Sequence, residues 1–133
     1  MNQPTQIEPA ALERLRRLGG EEFALKMTDL FLSYGAQKIE EARQSLERSN
    51  LTEVAKAVHA IKSSAGNVGA LEVQDLATRI EQLATQSQSD SLATLMQQLE
   101  LSFARTKLEL ETSRQSQAHP GRTTTSIPPK SEL

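Results

Sequence analysis

The sequence predicts an all-α protein: an antiparallel up-down-up-down four-helix bundle with a short extra N-terminal helix and a mobile C-terminal tail. Three observations lead there. Apolar residues recur at spacings of three and four up to about residue 112, and no segment alternates with period two. Aromatic residues are only 3% of the 133, with no Trp, so Leu, Ile, Val, Ala and Met must build the core. That composition suits packed helices better than a sheet. The long periodic segments are separated by short breaks, which favours antiparallel neighbours.

Each element has its own signal. A short first helix is expected from Pro9, whose fixed φ suits a first turn, to Leu18, with Gly19 and Gly20 ending it. A long second helix runs from Glu21 to Arg48. Its apolar stripe is Phe23, Met27, Leu30, Phe31, Tyr34, Ile39, Ala42 and Leu46, and Ser49 and Asn50 break it. The third opens on a capping-box pattern, Asn50 with Glu53 three residues on. It runs to Val68, where Gly69 suits a left-handed stop.

The fourth helix covers Ala70 to Thr85 and is expected to bury Val73, Leu76, Ala77, Ile80, Leu83 and Ala84. Asp90 is the expected N-cap of the fifth, which carries Leu92, Leu95, Met96, Leu99, Phe103 and Leu110. From Ser113 the composition turns to Ser, Thr, Gln, Pro and Gly, with too little apolar surface to offset ordering entropy. Residues 1–112 are therefore expected to form the bundle and 113–133 a disordered tail or linker. The second histidine, His119, falls in that tail and is assigned no role.

Composition narrows the function classes. The net charge of −2 argues against a nucleic-acid binder, which needs a basic face. The dense basic cluster of Arg14, Arg16 and Arg17 is flanked by Glu13, Glu21 and Glu22, and reads as a solvated helix face. No cysteine is present, which excludes thiolate catalysis and Cys-based zinc sites. Met1 to Glu8 has neither the basic nor the apolar region of a secretory signal, and no apolar run is long enough for a bilayer. A cytoplasmic protein without membrane contact is expected. Met1 and the polar ending suit a free-standing chain.

The chemistry concentrates in Val58-His59-Ala60-Ile61-Lys62-Ser63-Ser64-Ala65-Gly66-Asn67-Val68-Gly69. Leu51, Val54, Val58, Ile61 and Ala65 define a core stripe, and His59 falls roughly 120° from its centre. Ala55 and Lys56 lie one turn before it, Lys62 and Ser63 one turn after, and Gly66 two turns on. Ala55, Ser63 and Gly66 are short and leave the imidazole open to a docking protein. Glycine within a helix costs up to about 1 kcal/mol relative to alanine, so Gly66 needs a reason, and docking is one.

An imidazole in water titrates at about 6.5, so much of it is uncharged and nucleophilic at neutral pH. A phosphoryl group accepted there would bring roughly two negative charges. Lys62 is on the correct side to offset them, and the Ser63 hydroxyl is placed to donate a hydrogen bond. Geometry alone leaves an ordinary surface histidine open.

This pattern resembles the histidine-containing phosphotransfer (HPt) domains of two-component phosphorelays. The signature there is a histidine, a lysine three residues on, small residues and then glycine: here His59, Lys62, Ser63-Ser64-Ala65-Gly66, Val68 and Gly69. Ile7 to Gly20 looks like the family's N-terminal helix and Gly-Gly turn, Phe31 like a frequent phenylalanine of its long helix, and Leu76 to Leu83 like the helix after the motif. The resemblance covers about residues 7 to 112.

It implies a monomeric phosphoryl carrier whose His59 Nε2 accepts the group from a receiver-domain aspartate and passes it to another receiver. The receivers would belong to a hybrid sensor kinase or a response regulator, and would supply Mg²⁺ and most catalytic groups. By the same resemblance Lys62 offsets phosphate charge, Ser63 or Gly66 lines the site, and Ala55, Lys56 and Gly66 form the receiver docking surface. No cofactor of its own is expected. Ser63 stands where the family often has glycine, a departure that bears on partner choice.

Other chemistries fit less well. A histidine kinase would need a nucleotide-binding domain, and neither its motifs nor a GxxxxGK loop occurs. A carboxylate-bridged metal bundle needs Glu three residues before a core His, where Lys56 stands, so no metal site is expected. Ser63 and Ser64 near His59 suggest a hydrolytic dyad, but helical rows offer no oxyanion hole. The remaining competitor is an adaptor bundle of the same fold that binds a receiver or kinase without phosphotransfer.

Overall fold

The computed structural model describes residues 7–118. Four helices account for nearly all of them: α1 (Pro9–Glu47), α2 (Leu51–Val68), α3 (Leu71–Thr85) and α4 (Leu92–Ala118). Among the described residues there is no strand, only an isolated bridge between Ile7 and Ala70. Each helix packs on the next along the chain, and α4 closes back on α1. The result is the expected up-down-up-down bundle.

The local signals act as read, with a few shifts. Pro9 opens α1, and Gly20 inside it has non-helical φ 88° and ψ 179°. The two helices expected around Gly19-Gly20 are both present and meet at this break, where a single glycine redirects the chain; α1 denotes the two together. Asn50 caps α2 by accepting the Glu53 N–H at 3.3 Å. Asp90 does not cap α4. That helix starts at Leu92, and the Ser91 carbonyl accepts the Leu95 N–H at 3.0 Å. At the other end α4 runs through Ser113 to Ala118, so the expected bundle boundary at 112 falls inside a helix; His119 and the rest of the expected tail lie outside the described residues.

Phe31, Val54, Val58, Ile61, Val73, Ile80, Leu92 and Leu99 form the innermost layer, each essentially without solvent contact. The Phe31 and Phe103 rings meet at 5.4 Å and tie α1 to α4. Full burial of side chains of this size contributes about 1.5–3 kcal/mol each. The stripe expected on α1 is only partly buried. Phe31, Ile39 and Ala42 are inside, whereas Leu30 and Tyr34 are exposed. The true inward face runs through Ala24, Thr28, Phe31 and Gly35, whose small members bring α1 close to its neighbours. Leu30 stands about 130° and Tyr34 about 90° off that face.

The start of α1 is pinned across one end of the bundle. Ile7 is buried, and the Glu8 N–H donates to the Gly69 carbonyl at 2.8 Å. Gly69 ends α2 at φ 78°, the left-handed stop. A Cβ there would also lie 2.6 Å from the Ala11 Cβ and 2.9 Å from the Glu8 carbonyl. Both constraints act at one residue. Gly69→Ala should therefore lose more than the roughly 1–2 kcal/mol of left-handed strain. Gly69→Asn, which tolerates that conformation, should rescue little because its Cβ still collides. Chemical denaturation of both variants measures this.

Candidate functional site

α2 and α3 are joined only by Gly69 and Ala70, so they run antiparallel in tight register. One row on α2, through His59, Lys62 and Gly66, faces a row on α3 through Gln74 and Glu81. His59 and Glu81 each lie eleven residues from Ala70, on opposite sides of the turn.

The geometry around His59 is specific. Its side chain is 63% exposed, and Nδ1 is 2.7 Å from the Glu81 Oε2. Lys62 Nζ donates to the other oxygen, Glu81 Oε1, also at 2.7 Å. One carboxylate thus holds both side chains. Burial pushes the Glu81 carboxyl up, but hydrogen bonds from Lys62 and His59, with their charges, outweigh it and hold Glu81 below the usual glutamate range. Glu81 is therefore ionised at neutral pH. With Nδ1 committed to Glu81, Nε2 is the ring nitrogen available to a reactant.

The remaining expected residues separate. Ser63 is exposed one turn beyond His59, and Ala55 is half-buried one turn before it. Lys56 points to solvent and pairs with Glu53 at 3.5 Å. Ser64 turns its hydroxyl back onto its own helix, to the Ile61 carbonyl at 3.2 Å, and takes no part. A Cβ at Gly66 would lie 2.6 Å from the Gln74 amide nitrogen, so the glycine lets the end of that α3 side chain lie against α2. Lys62 is engaged by Glu81 rather than free.

Glu81 was not legible as a site residue. On α3 it reads as an ordinary polar flank position, and its meeting with His59 depends on the register across the turn. The equal distances from Ala70 were the one available signal.

Comparison with known proteins fits this arrangement. The model of the Hpt domain family matches residues 26–116, most of the chain and all of the His59 region. The protein belongs to the Hpt domain family. Comparison with curated proteins finds no match. Among solved structures it is similar to histidine-containing phosphotransfer protein B from Pseudomonas aeruginosa, with a TM-score of 0.80 and 18% identity over 85% of this chain and 97% of that one. It is also similar to a histidine-containing phosphotransfer protein from maize, with a TM-score of 0.79 and 21% identity over 87% and 88%. At such identities the likeness concerns the fold.

Hpt domains are phosphoryl carriers that work with receiver domains in phosphorelays. Among the described residues of this Hpt domain, no group of three or more His, Asp or Glu is placed to hold a metal ion, and no helix is long and apolar enough to cross a membrane.

The Glu81 contacts carry a pH signature. In the unfolded chain a glutamate titrates at about 4.3. Folding lowers that value for Glu81, so its stabilisation is complete above the unfolded value and is lost as pH falls through the folded one. Glu81→Gln should be less stable than wild type near pH 7, by up to about 1 kcal/mol for a partly exposed cluster. The gap should narrow as the pH falls below about 4.3 and through the lower folded value, as denaturant titrations at neutral and acid pH would reveal.

Proposed function

We propose that this Hpt domain carries a phosphoryl group on His59 Nε2. The group comes from the aspartyl phosphate of one receiver domain and passes to the aspartate of another, within a two-component phosphorelay. The observation that carries this reading is the presentation of His59: largely exposed, with Nδ1 held by Glu81, so that Nε2 is left for the reactant. Lys62 sits one turn away, within reach of a group on that ring. Ser63 is an exposed hydroxyl on the same side.

The chain acts here as carrier and not as kinase, since the phosphoryl group arrives from a protein aspartate rather than from ATP. Mg²⁺ and the groups that stabilise the transferring phosphoryl belong to the receiver in this reading. Ala55 and Lys56 border the surface that the receiver covers, and the exposed Leu30 and Tyr34 offer apolar area on α1.

Mixing the protein with a phosphorylated cognate receiver should transfer label to it in an acid-labile, base-stable form. His59→Gln should abolish labelling with unchanged helicity. Persistent labelling of that variant would overturn the assignment of His59. Lys62→Ala should slow transfer or shorten the phosphohistidine lifetime with little loss of stability. Equal rates and lifetimes would remove Lys62 from the mechanism.

A further inference from the structure

The outer side of α4 carries an apolar ridge. Leu101 and Leu108 stand seven residues apart and are 60% and 67% exposed, with exposed Ala104 between them. At about 100° per residue the three share one side of the helix, roughly opposite the buried Leu99 and Thr106. Among the described residues α4 packs on α3 and α1 alone, and the ridge faces away from both.

We propose that this ridge is a self-association surface, on which α4 of a second copy of the chain packs antiparallel about a two-fold axis at Ala104. The proposal is independent of the reading of His59.

The argument rests on self-complementarity, which a two-fold pair demands of a single patch. In antiparallel helices crossing at Ala104, a residue some places after it meets the residue the same number of places before it in the other copy. Leu108, four places after, then falls beside Leu101 of the second copy, three places before. The offset is one residue, about 1.5 Å along the axis. The symmetry repeats that contact on the other side of Ala104. The short Ala104 side chain lets the two axes approach to about 8 Å, the lower end of helix packing distances.

Charge follows the same symmetry. Glu100 and Lys107 are also seven residues apart and lie together on one flank of the ridge. Like flanks meet in an antiparallel pair, so Glu100 of each copy comes beside Lys107 of the other, twice per dimer. A surface shaped for an unrelated protein has no need of this arrangement. On the opposite flank Arg105 would approach its own counterpart, but its charge is already matched by Glu72 at 3.2 Å within the chain. Glu100 also lies in the field of Arg43 on α1, which is itself held between Glu40 and Glu47.

The size of the ridge sets the strength. From Gln97 to Thr112 it runs about 22 Å, one helix wide. Such a strip covers less than the roughly 800 Å² per partner of a standard interface, so the pair is reversible and depends on concentration. It also leaves the imidazoles open. α2 packs on α1 and α3 and not on α4, so His59 lies across the bundle from the ridge. A dimer of this kind presents two His59 side chains on its two outer sides.

Sedimentation equilibrium of the full chain, from low micromolar to millimolar concentration, reads the outcome. The mass should climb from 14.6 kDa toward twice that value. Leu101→Glu and Leu108→Glu should each hold it at the monomer value with unchanged helicity, since both positions are exposed. Glu100→Lys and Lys107→Glu should each weaken association by roughly tenfold, because attraction turns to repulsion at two symmetric places. The double swap should restore it.

The chain has no cysteine, so Ala104→Cys introduces a single thiol, placed on the two-fold axis. Air oxidation should link that variant into a covalent dimer far faster than Thr52→Cys, whose thiol would stand exposed on α2. A chain that stays monomeric at every concentration overturns the proposal. So does a dimer indifferent to Leu101→Glu and to the charge reversals, or equal cross-linking of the two cysteine variants.

Discussion

The turn at Gly69 and Ala70 is the constraint on which the rest of the molecule depends. A connection of two residues leaves α2 and α3 no freedom to slide, so the distance of each residue from the turn dictates its partner. The turn is itself locked by the start of α1, which lays Ile7, Glu8 and Ala11 against it. Tight packing at one end of the bundle therefore determines which side chains meet about three turns away. A site on rigid helices needs no loop to hold its geometry.

The register places unlike charges where they neutralise one another without leaving solvent entirely. Glu81 accepts from both His59 and Lys62, so its partial burial does not strand a charge. A second polar node works similarly between α3 and α4, where buried Ser102 donates to Glu72 at 2.8 Å and Arg105 joins at 3.2 Å. That second node lacks an exposed imidazole. The contrast separates a bridge that only joins helices from one that also holds an exposed imidazole.

Much of the bundle could be read from the chain because its signals are local. Pro9, Asn50 and Gly69 act on their own turns, and the buried residues of α2 and α3 follow the apolar period closely, as do the apolar ones of α4 beside its buried Ser102 and Thr106. α1 resisted that reading. Its inward face includes Thr28, Gly35 and Ser45, which are buried because neighbouring helices approach closely and not because they are apolar. Thr28 is satisfied by the Ala24 carbonyl of its own helix at 2.9 Å, so its hydroxyl can be buried. Periodicity therefore put Leu30 and Tyr34 inside when they belong outside.

The sequence by itself determined the all-α class, the order of the helices, most of the core, and His59 as an exposed residue beside Lys62. Those features depend on helical period, on caps and on spacing within one helix, all local properties of the chain. Only the tertiary structure decided that Leu30 and Tyr34 lie outside, that the end of the Gln74 side chain lies against Gly66, and that Glu81 joins His59 to Lys62. Each of these depends on residues from different helices meeting. Their positions follow from packing and turn length together, which no single segment encodes.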